Sequence, residues 1–142
     1  MIEALYDLLV NDGDLADEGF DDGSIFPNFT IHNEGPITSP RDKMFITVKY
    51  GEQAVRSNVM RRGPEVIQFN VHRPVELGPD YRAIRDVLDI IIAIMAEAEN
   101  FTFQKYRITS TRFMGLGADL RDPGFNTFTK GVGFEILSHR VG

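Results

Sequence analysis

Six carboxylates crowd one short stretch near the start of the chain: Asp12, Asp14, Asp17, Glu18, Asp21 and Asp22. Ca²⁺ takes six to eight such oxygens. The spacing, however, departs from the alternating D-x-D-x-D-G loop, and no bidentate glutamate stands at the twelfth position. Two other readings stay open for these acids, a contact or lumen surface in an assembly and a simple solvated loop. Arg56, Arg61 and Arg62 are the basic counterpart. They suit a phosphate, a salt contact between subunits, or a solvated hairpin connection. His32, His72 and His139 fall on separate predicted strands, with no cysteine in the chain and no spaced carboxylate partner, so neither a metal set nor a general base is indicated. Gly115-Leu116-Gly117 and Gly131-Val132-Gly133 do not lie between a strand and a helix, as a phosphate loop requires, and read as bends or as places where another backbone approaches. No G-x-S-x-G, H-E-x-x-H or P-loop occurs. No enzyme, metal or cofactor is expected; the alternatives of a different class are a small binding domain or an enzyme using Asp119, Asp122 and the nearby His139.

The charges are split along the chain. Residues 1–40 hold nine acids and no Lys or Arg, while the rest holds fifteen bases and twelve acids; the two parts are formally −9 and +3, which sum to the net −6. A chain divided this way can attract the opposite end of an identical neighbour, and repeated head-to-tail contact closes a ring or extends a filament. An acidic protein with a pI near 5.0 does not wrap nucleic acid with a broad basic surface, although DNA can slide past acidic walls. Absence of cysteine excludes disulfides. The first ten residues lack a signal peptide's basic flank, and the longest apolar run, Ile90 to Ala96, falls far short of the roughly 20 residues that span a bilayer. A soluble intracellular product is expected.

The elements that must position these residues follow from periodicity. Ile2, Leu5, Leu8 and Leu9 share one face of a short helix that Asn11-Asp12-Gly13 stops. Residues 11–43 are punctuated by glycine and proline and read as a long, partly irregular acidic loop with one strand at Phe29–His32. Met44–Tyr50 and Glu65–Arg73 read as paired strands, the second with Ile67, Phe69 and Val71 on one side. A long helix follows, with Asp80 near its start and an end near Asn100. Its Ile84, Leu88, Ile91 and Met95 form a core stripe, and Arg82, Arg85, Asp86 and Asp89 face away. Ala93 and Ala96 continue that outer stripe with small apolar side chains, which suits a close contact with another subunit. A last hairpin pairs Tyr106–Met114 with Asn126–His139 through GLGADLRDPGF. The expected fold is a single α+β domain, residues 1–142: a mainly antiparallel sheet of about four strands with two helices on one face.

Over its last 75 or so residues the chain resembles the tail-terminator proteins of long-tailed, non-contractile phages. The likeness is carried by Ile84, Arg85, Asp86, Leu88 and Asp89 in the helix, by Asp119, Leu120, Asp122, Gly124 and Thr127 in the connection, and by Phe134 and Ile136 in the final strand. It implies a non-enzymatic homohexameric ring that caps the tail tube and ends its polymerisation. The implied partners are the tail tube protein and a head connector or stopper protein, with DNA crossing the lumen unheld and no membrane involved. The implied place is the tail–head junction of a virion made in the host cytoplasm. On this reading the acids of residues 12–22, the three arginines, Ala93, Ala96, Asp119 and Asp122 are candidate interface residues.

Overall fold

The computed structural model describes residues 2–27, 40–50 and 65–141. Helix α1 (Ile2–Val10) buries Leu5 and Leu9, and a second helix, α2 (Gly13–Asp17), follows it at once. Strand β1 (Ile25–Pro27) precedes β2 (Phe45–Tyr50) and β3 (Glu65–Pro74). Helix α3 (Tyr81–Ala96) leads to β4 (Thr102–Phe103), β5 (Tyr106–Leu116), β6 (Leu120–Asp122) and β7 (Thr127–Arg140).

The seven strands form one sheet in the order β1-β2-β3-β7-β5-β4, with β6 pairing β7 beyond the end of β5. The β1–β2 pair is parallel and the other pairs are antiparallel, so the sheet is mixed, and it curls into a half-barrel. This corrects the expected four-stranded antiparallel sheet with two helices. The four long strands were legible, β3 from its alternation and β2 from its β-branched and aromatic residues; three short ones and α2 were not. β1 and α2 lie inside the segment read as irregular. There the Asp12 carboxylate caps α2 by accepting from the Leu15 amide at 2.9 Å, while Leu15 and Phe20 are buried beneath it. Two apolar anchors and one cap order a stretch whose glycines suggest a loop. The final hairpin is longer than expected, because pairing resumes at Leu120↔Thr129 and leaves a tight turn at residues 123–126. The expected strand at Phe29–His32 lies outside the described residues, as does the 51–64 connection with Arg56, Arg61 and Arg62.

One face of the sheet is covered by helices. Ile67 and Phe134 are Cα partners, as are Phe69 and Val132, and these side chains meet Ile84, Val87, Leu88, Ile91 and Met95 of α3 in the core. Asp80 caps α3 by accepting from the Ala83 amide at 3.0 Å, as its place before the helix suggests. The helix ends at Ala96, a turn earlier than its sequence implies, and Asn100 stands beyond it at φ 72° as the chain turns into β4. No described helix is long and apolar enough to cross a membrane.

Candidate functional site

The opposite face of the sheet divides into a packed end and an open end. At the packed end His72 lies between two hydroxyls, with Nδ1 2.8 Å from Thr127 Oγ1 and Nε2 3.2 Å from Thr47 Oγ1. Its ring stacks on Phe45 at 4.8 Å and 7°, and Phe125 of the hairpin turn leans on it. Burial pushes this imidazole down to about 4. His72 is thus a neutral core member, its ring held by stacking and by both nitrogens.

Arg41 ties the hairpin turn over that cluster. Its guanidinium forks onto Glu76, with Nε to Oε2 at 2.6 Å and Nη2 to Oε1 at 2.5 Å, and donates also to the carbonyls of Phe125 and Asn126. The pair holds the Glu76 carboxyl below its usual range. Five donors in a rigid fork suit this double task, which lysine would not perform.

At the open end a shallow groove of about 550 Å³ is bounded by Lys49, Gln68, Met114 and bare backbone at Gly115, Gly131 and Gly133. Gly131 is required by a close approach. A Cβ there would meet Gln68 Nε2 at 2.9 Å and the Phe69 carbonyl at 3.2 Å, and it would strike the Asn70 side chain. Gln68 donates to Asn70 across this gap at 3.3 Å. Gly115, at φ 135°, sits at a β-bulge where the register slips between Phe113 and Gly115.

The candidate interface residues separate into several groups. Asp12 caps α2, and Asp21 pairs with Lys43 Nζ at 3.2 Å while accepting from the Gly23 amide. Asp14, Asp17, Glu18 and Asp22 are exposed and make no ion pair among the described residues. Ala93 and Ala96 are exposed on α3, in line with the Arg85–Asp89 pair. Asp119 accepts from Lys130 at 2.8 Å, and Asp122 accepts from the amides of Gly124 and Phe125, closing the hairpin turn. The catalytic grouping of Asp119, Asp122 and His139 does not assemble. Asp122 pairs with Thr127 at one end of β7 and His139 with Arg107 at the other, on the order of 40 Å apart along the strand at about 3.3 Å per residue.

Sequence reasoning missed the outer strand of the sheet. β4 covers only the start of β5, and a last contact there joins Ile108 to Asn100 and Phe101; from Thr109 to Leu116 nothing among the described residues pairs with the outer edge. Exposed Phe113, Met114 and Leu120 stand along this side. The signal available in the sequence was Phe113-Met114, two large apolar residues in succession where alternation should give one.

No family model matches the chain, and no curated protein matches it in sequence. Among solved structures, a chain of the virion of a native gene transfer agent particle is similar, with a TM-score of 0.63 over 96% of this chain and 92% of that one. At 12% identity the likeness is one of fold, and it extends over nearly the whole of both chains.

Proposed function

We propose that the chain is a structural protein of a phage-like virion, a tail terminator whose ring caps the tail tube, ends its polymerisation and receives the head connector. The observation that carries this reading is the fold likeness along nearly the full length of a chain from a gene transfer agent virion. The tail-terminator resemblance of the α3-to-β7 half supports it. A terminator works by surface complementarity: one face fits the last ring of the tube, another fits the head side, and flanks fit neighbouring copies. Among the described residues, a helix-covered face, an opposite face packed at one end and grooved at the other, and a β5 edge without a strand partner beyond Ile108 offer separate surfaces for those contacts.

Deleting the gene from its parent particle tests the proposal. The expected outcome is tail tubes of uncontrolled length with no heads attached. Tubes of normal length without heads would instead favour a head–tail adaptor or completion protein, and joined particles of normal length would overturn both.

A further inference from the structure

Three of the ties on the 123–126 hairpin turn run through groups that take up protons in acid. Asp122 closes the turn from within, its Oδ1 accepting from the Gly124 amide at 2.8 Å and the Phe125 amide at 3.0 Å. Arg41 holds it from outside through the carbonyls of Phe125 at 2.6 Å and Asn126 at 3.0 Å, and Arg41 is itself gripped by Glu76 of the 3₁₀ turn Val75–Leu77. Beneath it the Phe125 ring rests on His72 at 4.8 Å and on Phe45 at 5.5 Å. Two further ties do not titrate in acid: the Val75 amide donates to the Asn126 carbonyl at 3.2 Å, and Arg121 donates to the Asn126 side chain at 3.2 Å.

The turn covers a niche of its own. Phe45 and His72 are buried under it, yet the main apolar core on the helix-covered face includes neither Phe45 nor Phe125. Lifting the turn therefore leaves the contacts between α3 and the sheet in place, which is the condition for local rather than global opening. Acid acts on the His72 and Glu76 ties in the same direction. Burial keeps the His72 ring neutral down to about 4, and a lifted turn lets one face of it meet water and charge, so the closed state is progressively disfavoured as pH falls from about 6.5 toward 4. Asp122 of β6 favours that charge and Lys49 of β2 opposes it; Thr47 and Phe45 of β2 and Thr127 of β7, which touch the ring, bring none, and the Arg41–Glu76 pair lies across the turn. The Glu76 carboxyl, lowered by Arg41, keeps its grip above its ordinary range and loses it as pH falls through the lowered value.

We propose that the 123–126 turn is an acid-released strap, which lifts from the sheet as a unit while the α3–sheet core stays folded and so uncovers an apolar patch of Phe45, His72 and Phe125. The His72 linkage alone raises the open fraction by up to roughly twentyfold between pH 7 and pH 5. The strap is a property of the single chain and does not rest on the terminator reading.

Native-state hydrogen exchange followed by NMR tests it, with rates corrected for the intrinsic effect of pH on exchange. The Val75 amide, bonded to the Asn126 carbonyl, reports on the strap; Val71 and Phe134 report on the core. Whole-chain unfolding carries the same proton linkage, so urea separates the two events: lifting a short turn exposes little surface and hardly responds to urea, whereas global unfolding follows the full slope. Val75 should lose about tenfold in protection from pH 7 to pH 5 and stay indifferent to low urea, while Val71 and Phe134 exchange far more slowly and with the global slope. His72→Phe should keep the Val75 protection of pH 7 at pH 5. Glu76→Gln, at an exposed position, should already weaken that protection at pH 7. Loss of protection at Val75, Val71 and Phe134 together along one urea slope would overturn the proposal. So would Val75 exchange that ignores pH in the parent, a His72→Phe chain with the parent's pH response, or a Glu76→Gln chain with the parent's protection at pH 7.

Discussion

The His72 cluster makes stability depend on pH in a window of its own. The unfolded imidazole titrates near 6.5, whereas burial lowers the folded group to about 4. Between those values the unfolded chain binds a proton that the folded chain refuses, so stability falls as the pH falls through the window. At pH 7 this linkage costs only about 0.2 kcal/mol, and at pH 5 about 2 kcal/mol. Urea melts at the two pH values should therefore differ in midpoint by roughly 0.6 to 1.8 M, given typical slopes of about 1 to 3 kcal/mol/M for small proteins. His72→Phe removes the titration and keeps a ring against Phe45, but it leaves the Thr47 and Thr127 hydroxyls without the imidazole, costing about 1 to 3 kcal/mol at pH 7. Its melts should lose most of the pH 7-to-5 difference. The carboxyls of Asp21 and Glu76, lowered by Lys43 and Arg41, lose their contribution at lower pH and do so in both chains. If parent and His72→Phe show the same loss between pH 7 and pH 5, the cluster is not closed to water and the reasoning fails.

Leu88→Ala, inside the α3–sheet core, should cost roughly 2 to 5 kcal/mol in a denaturant melt. Ala93→Glu, on the exposed stripe of the same helix, should leave the isolated protein folded and block its assembly on tails; normal head joining by that variant would make the stripe a solvated face. Gly131→Ala should destabilise by about 1 to 3 kcal/mol, with Asn70→Ala in the same chain recovering part of it, and additive losses would place the strain elsewhere. Arg41→Ala should speed hydrogen exchange at the 123–126 turn, as measured by NMR, far more than at Val71 or Phe134; equal effects at all three would make Arg41 a global support.

Periodicity and β-branched or aromatic content exposed the longer elements. α1, β2, β3, α3 and the two arms of the last hairpin stand where apolar spacing puts them, and Ile84, Leu88, Ile91 and Met95 are core residues as their 3.6-residue spacing implies. What stayed hidden is short or held by tertiary contacts. β1, β4 and β6 have three, two and three residues, too few for a pattern, and each exists by pairing with a longer neighbour. α2 rests on one cap and Leu15. Sequence distance also concealed the role of Arg41, which joins Glu76 to a turn some eighty residues away. The motif acids Asp119 and Asp122 were visible as residues, but only the fold shows one paired to Lys130 and the other closing a turn.

The central claim is a place in a particle, and electron microscopy of the parent virion with gold-conjugated antibody to this chain tests it most directly. The account predicts label confined to one ring at the junction of head and tail, and naked tubes lacking the chain should carry none. Label spread along the tube, scattered over the head, or absent from complete particles would contradict it.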